Sequence, residues 1–152
     1  MHTAMSGQEL ENVLDQITRR VTEESTGIRL IPGGPDPTED VYTVHVRFCR
    51  GFHSSLSFRT DSALLTRLTQ SMLQEEQVTL QDLEDVAKEY FNVLCGHIVA
   101  ALFKATRVTA RFSMPSFHRG SYSPEGHTEQ FVIHYSSDRG EAALLVHHIP
   151  AP

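Results

Sequence analysis

Asp85, Glu89, Asn92 and Gly96 fall at i, i+4, i+7 and i+11 of one apolar-periodic stretch, DVAKEYFNVLCG. On a helix turning about 100° per residue, that spacing stacks all four in a narrow band. Leu83, Val86, Ala87, Tyr90, Leu94, Ile98, Ala101 and Ala105 make a broad apolar face on the other side. Val99 and Phe103 continue the polar band. The outward row therefore reads acid, acid, amide, bare backbone, then two apolar groups.

A carboxylate and an amide at this spacing suit the handling of water. The chain offers no nucleophile paired with a base and no Gly-rich phosphate loop. An amide can donate to and accept from the same water molecule. Phosphoryl transfer passes through a loose transition state that asks mainly for a well-placed attacking water. Asn92 is thus a candidate water-orienting group, provided another molecule supplies the phosphate and the metal. Glycine inside a helix costs roughly 1 kcal/mol against alanine, so Gly96 suggests a packing or docking reason. Val99 and Phe103, in line with it, read as part of a docking surface or as lying under another element. The plainer alternative is a solvated helix face, since most exposed acids do nothing specific.

The elements that must position this row can be read from periodicity. Leu10, Val13, Leu14, Ile17 and Val21 predict a first helix, with Ser6 as N-cap and Gly27 as its stop. IRLI predicts a short strand, and PGGPDPTED a surface loop, read as mobile. Tyr42, Val44, Val46 and Phe48 alternate with Thr43, His45 and Arg47, which predicts a half-buried strand; Val41 to Arg59 reads as a hairpin. Asp61 caps a second helix. Thr79 and Asp82 open the third, which runs to about Lys104, with a capping box in which Asp takes the usual Glu or Gln position. RVTARFSM predicts a strand that Pro115 ends or holds at an edge. SFHRGSYSPEGH reads as irregular, and EQFVIHY with EAALLVHH as a final hairpin. The poor alternation of EAALLV fits a strand covered on both faces. Three helices and hairpin-linked strands predict an α+β fold: a mostly antiparallel sheet with the helices packed on one face.

Composition narrows the partners. The chain has 152 residues, 39% hydrophobic and 21% charged, which fits one domain, 1–152, of an ordinary soluble protein. A net charge of −6, with no cluster of Lys and Arg, argues against nucleic acid and anionic membrane as partners. Cys49 and Cys95 form no C-x-x-C, and MHTAMSGQEL has no basic segment followed by an apolar core, so a cytoplasmic location is expected. The apolar run VLCGHIVAALF is interrupted by Gly96 and His97 and is too short to span a bilayer. Nine histidines raise the question of a metal. His45, His53, His97, His118, His127 and His134 show no i, i+4 ligand pair, and the adjacent His147 and His148 point opposite ways on a strand. No metal site is expected, and His97 reads as a hydrogen-bonded core imidazole.

The row and its surroundings resemble the chemotaxis phosphatases CheC and CheX and the flagellar switch protein FliY. That family shares Asp/Ser-x3-Glu-x2-Asn-x22-Pro, matched here by Asp85, Glu89, Asn92 and Pro115 with all three gaps. Gly96 also fits, as does SMPSFHRG (Ser113 to Gly120), similar to the family's Ser-x-Pro followed by a Gly. The resemblance runs loosely from Val41 to His148. The single motif copy is more similar to CheX than to CheC, which carries two. Glu9-x-x-Asn12, with Pro35 downstream, partly echoes the motif, but Met5 and Gln16 stand where Asp or Ser and Gly belong, so it reads as coincidence. His97-Ile98 after Gly96, and a first hairpin keeping only Gly51 of the usual glycines, depart from the family pattern.

What the resemblance implies is a CheC-like fold and removal of phosphate from the aspartyl phosphate of a CheY-type response regulator. Asn92 would place the water and Glu89 would pair with the receiver's lysine. Asp85, Gly96, Val99 and Phe103 would meet the partner, and Pro115 would shape the strand end. The Mg2+ would belong to the receiver, leaving this chain with no cofactor of its own. CheX-type proteins are known as dimers joined through strands, so the resemblance also allows a homodimer. The competing reading is a non-catalytic module that docks a receiver as flagellar switch relatives do, making little use of Asn92.

Overall fold

The computed structural model describes residues 5–150. Helix α1 spans Gly7–Thr26, and Ser6 accepts from the Glu9 backbone N–H while Gly27 closes the other end at φ 73°. A two-residue strand β1 (Ile31–Pro32) follows, then the hairpin β2 (Val41–Arg50) and β3 (Ser54–Asp61). Asp61 caps α2 (Ser62–Leu73). Helix α3 (Leu80–Thr106) opens on the expected capping box, Thr79 with Asp82. The chain ends through β4 (Arg111–Phe112), β5 (Ser116–Arg119), β6 (Thr128–Ser136) and β7 (Glu141–His148).

All pairings are antiparallel, in the order β1-β6-β7-β3-β2, with β4 and β5 both lying along the outer side of β2. Hydrophobic collapse has one centre. Tyr42, Val44, Val46, Phe48, Leu56, Phe58, Leu144 and Val146 face Leu14, Val21, Leu65, Tyr90, Leu94 and Ile98 from the helices. This is the α+β arrangement expected, with three helices on one face of an antiparallel sheet. Polar ties reinforce it: the Tyr135 hydroxyl of β6 donates to Asp15 of α1 at 2.7 Å, and Tyr90 of α3 shares a 2.6 Å bond with Thr22 of α1. Burial pushes the Tyr90 and Tyr135 hydroxyls up from the ordinary tyrosine pKa, so both stay protonated.

Several expectations need correction. Of the IRLI segment only Ile31 is strand: it pairs with Ser136, and the next residue, Pro32, pairs with Tyr135. RVTARFSM contributes only Arg111–Phe112 as strand, while the segment read as irregular contains β5, paired with Tyr42 to His45. Between the two pieces lies a one-residue bulge: Phe48 and His45 are three apart on β2, whereas their partners Phe112 and Ser116 are four apart. Pro115 sits in that break, at the sheet edge, where its missing N–H costs no ladder bond.

Strand β2 is also buried on both sides rather than one, with Thr43 and His45 as covered as their apolar neighbours. The second face of the sheet is roofed by two loops. The first is the Pro/Gly loop read as mobile, whose Asp36 is gripped by Arg59 at 2.9 Å and His134 at 3.1 Å. The second is Gly120–His127, which brings Tyr122 and His127 over His45. The strand β7 between β6 and β3 is buried from Ala142 to His147, as its poor alternation implied.

Candidate functional site

Helix α3 holds the outward row by burying what lies behind it. Phe91, Leu94, Cys95 and Ile98 have no exposed surface, so the helix cannot roll without opening the core. By length and mean hydropathy α3 could cross a bilayer, but its apolar side is the side packed on the sheet. Leu102, Phe91 and Cys95 join that side beyond the residues expected, whereas Ala105 is exposed. The Cys95 thiol is pushed up by burial and stays protonated.

Asp85, Glu89, Asn92 and Gly96 are all exposed on the opposite side. Neighbouring polar groups on the helix are already engaged: Gln81 donates to Asp85 at 2.8 Å, and Lys88 donates to Glu84 at 3.0 Å. Glu89 and Asn92 have no hydrogen-bond or ion-pair partner among the described residues. A β-carbon built on Gly96 would meet nothing within 4 Å. No internal packing therefore requires glycine there, and the bare backbone faces outward beside a carboxylate and an amide.

The apolar end of the row is split. Phe103 is 43% exposed, with the Arg107 guanidinium 5.8 Å from its ring centre. Val99 is only half-buried and leans onto the core, so it contributes an edge rather than a full surface. Two exposed apolar residues were not singled out from the sequence. Val93 lies four residues after Glu89, and Met114, immediately before Pro115, is 90% exposed. Their signal was present: Val93 is one helical turn from Glu89, and a methionine at a proline break has no strand neighbour to cover it.

Pro115 is half-buried, between Met114 and the start of β5. Two residues on, Phe117 stacks on Tyr42 and lines the same small core gap as Ala87 and Tyr90. The proline break thus sets the edge strand under the first half of α3, the half that carries Glu89 and Asn92.

His97 is exposed, not the core imidazole expected, because α3 turns its flank to solvent there. In α1, the Asn12 amide is occupied by Gln8 at 3.0 Å, unlike Asn92. An apolar cavity of about 290 Å³ lies between α1, the end of α3 and the sheet, and no titratable side chain lines it. The row lies outside that cavity, on an open helix face. An open face of this kind does not enclose a small substrate; a group it engaged would have to supply the concavity itself.

No protein-family model matches the chain, and no curated protein does. Solved structures do. It is similar to CheX from Vibrio vulnificus, at 20% identity and TM-score 0.76, covering 95% of this chain and 99% of that one. A CheX from Desulfovibrio desulfuricans matches at 21% identity and TM-score 0.73, over 91% and 97% of the two chains. The CheX of Borrelia burgdorferi, solved as a CheX-CheY-BeF3-Mg2+ complex, matches at 15% identity and TM-score 0.77, over 93% and 98%. The fold of this chain is that of the CheX, CheC-like and FliY proteins.

Proposed function

We propose that residues 1–152 form one CheX-like domain that removes phosphate from the aspartyl phosphate of a CheY-type response regulator. The observation that carries this reading is the row itself. Glu89 and Asn92 are exposed and unpaired beside a glycine that no internal contact demands. The CheX relative solved with CheY, BeF3 and Mg2+ supports a receiver as the partner class.

In this reading the receiver brings both the acyl phosphate and the Mg2+. The Asn92 amide enters the receiver's site, where its carbonyl accepts from the attacking water and its N–H holds that water in line. Glu89 pairs with a receiver cation and fixes the angle of approach. Gly96 lets the receiver backbone come close, Asp85 meets the rim, and Val99 and Phe103 cover apolar surface around it. Pro115 acts through the strand edge that supports α3. The protein is read as cytoplasmic, with neither nucleic acid nor membrane as partner. The β6 edge, which β1 covers only at Tyr135 and Ser136, offers a second copy a place to pair.

The deciding experiment follows decay of a phosphorylated receiver with and without this protein. Accelerated release of phosphate supports catalysis. An unchanged half-life together with measurable binding would leave a docking module and overturn the enzymatic reading.

A further inference from the structure

A second concentration of polar groups lies behind the sheet, remote in kind from the row. His45 from β2 sits within 6.2 Å, ring to ring, of His127 and 6.0 Å of His147. The Ser57 hydroxyl stands between two of these rings, 2.6 Å from His45 Nδ1 and 3.4 Å from His147 Nε2. Its single proton can serve only one of them, so it accepts from the other. Ser55 bonds His127 Nδ1 at 2.9 Å, and Ser116 bonds His118 Nε2 at 2.8 Å. Tyr122 closes the set, stacked 3.5 Å from His118 and edge-on to His45. His45, Ser55, Ser57 and His147 are buried. Among the described residues no three ligand-type groups are placed to hold a metal ion.

We propose that this cluster is an acid-released latch holding the Gly120–His127 cover against the back of the sheet. The two buried rings, His45 and His147, are the ones the site least accommodates as cations. The charged groups facing the cluster are Arg47 from β2, Arg59 from β3, itself paired with Asp36 at 2.9 Å, and Glu129 from β6. Each proton taken up adds a positive charge among closely spaced rings, two of them buried behind the sheet. Burial lowers the basicity of His45, His118, His127 and His147, and mutual repulsion lowers it further for His45.

The cover is the part that yields. The sheet beneath is held by continuous ladders, seven residue pairs between β3 and β7. The cover is tied to it by the Gly120 N–H to the Val41 carbonyl, the Thr43 hydroxyl to the Gly120 carbonyl, and the Ser55–His127 bond. Segments with so few backbone bonds open first. Two of the contacts closing the cover, His127 and the Tyr122 stack, are themselves part of the titrating cluster.

The test is an NMR titration of the full chain from neutral pH downward, following the Tyr122 ring protons and the histidine ring signals beside far-UV circular dichroism. The expected result is movement of Tyr122 to solvent-like shifts as the cluster protonates, with helical signal unchanged. His127→Gln keeps a hydrogen-bonding group and His118→Phe keeps the stack, while each removes a charge; both should move the release to lower pH. Tyr122 signals that hold until the whole chain unfolds would overturn the latch. So would an unchanged midpoint in both variants.

Discussion

The exposed row on α3 and the histidine cluster behind the sheet treat polar groups in opposite ways. Behind the sheet, His45, Ser57 and His147 share bonds and exclude water. On α3, Glu89 and Asn92 are left to solvent although Asp85 and Glu84 nearby are paired. A buried polar group must be satisfied from within, or it costs the desolvation of that group. A surface group carries no such obligation, so leaving it unpaired keeps it available. The contrast separates polar groups that hold the fold from those the fold leaves uncommitted.

The largest expected effect breaks the contrast at the row. Asn92→Ala should lower acceleration of receiver dephosphorylation by about 10²-fold or more, since it removes the group that positions water. Receiver binding and the urea midpoint should stay near wild type, stability changing by no more than about 0.5 kcal/mol. A timed phosphate-release assay and a denaturation curve on the same sample check both halves. A variant that keeps full activity would reduce Asn92 to solvated surface.

Behind the sheet the pattern should invert. Ser57→Ala leaves two buried rings short of a partner and should cost about 1–3 kcal/mol of stability. Activity per folded molecule should be unchanged, because the row is not involved. Comparing urea midpoints with the rate at low temperature separates the two.

Acid should sharpen the difference further. His45, held down to about 3 chiefly by burial and then by His147, His127 and His118, stays neutral where the unfolded chain takes a proton. The unfolded state binds more protons once pH falls below the ordinary histidine value near ~6.5. Stability is therefore full above that pH and lost progressively toward about 3. Urea midpoints at neutral pH and at about pH 5 should show the fall, reduced in His45→Gln relative to that variant's own neutral value.

The smallest effect is also the most discriminating. With open space around Gly96, Gly96→Ala should stabilise the helix by about 1 kcal/mol, yet weaken receiver association. A gain in thermal midpoint with a rise in receiver Kd is the expected pair. A gain with no rise would remove the docking reason for the glycine.

Much of this was readable from the chain because it depends on neighbours in sequence. Ser6, Asp61 and the Thr79–Asp82 box are local caps, and the outward band from Asp85 to Gly96 follows from helical period alone. What escaped depends on distant contacts. SFHR reads as irregular until β2 lends it a partner from more than 70 residues away. Thr43 and His45 look like solvent-facing strand positions until two loops roof them. Helical period puts His97 on the apolar face, but the rotation that buries Leu94 and Ile98 sets its flank outward. Val93 and Met114 show that exposure of an apolar group is a property of what fails to cover it. Periodicity does not record that.

The broken edge at Pro115 has a further consequence for traffic around the molecule. Beside α3 the outer strand is short, bulged and carries a proline, three features that deter a foreign strand from adding. At the opposite margin, β6 runs from Thr128 to Ile133 with no strand on its outer side among the described residues. A strand added from outside would thereby meet the β6 margin rather than the proline edge. Such a strand would leave the helix row at the other margin uncovered.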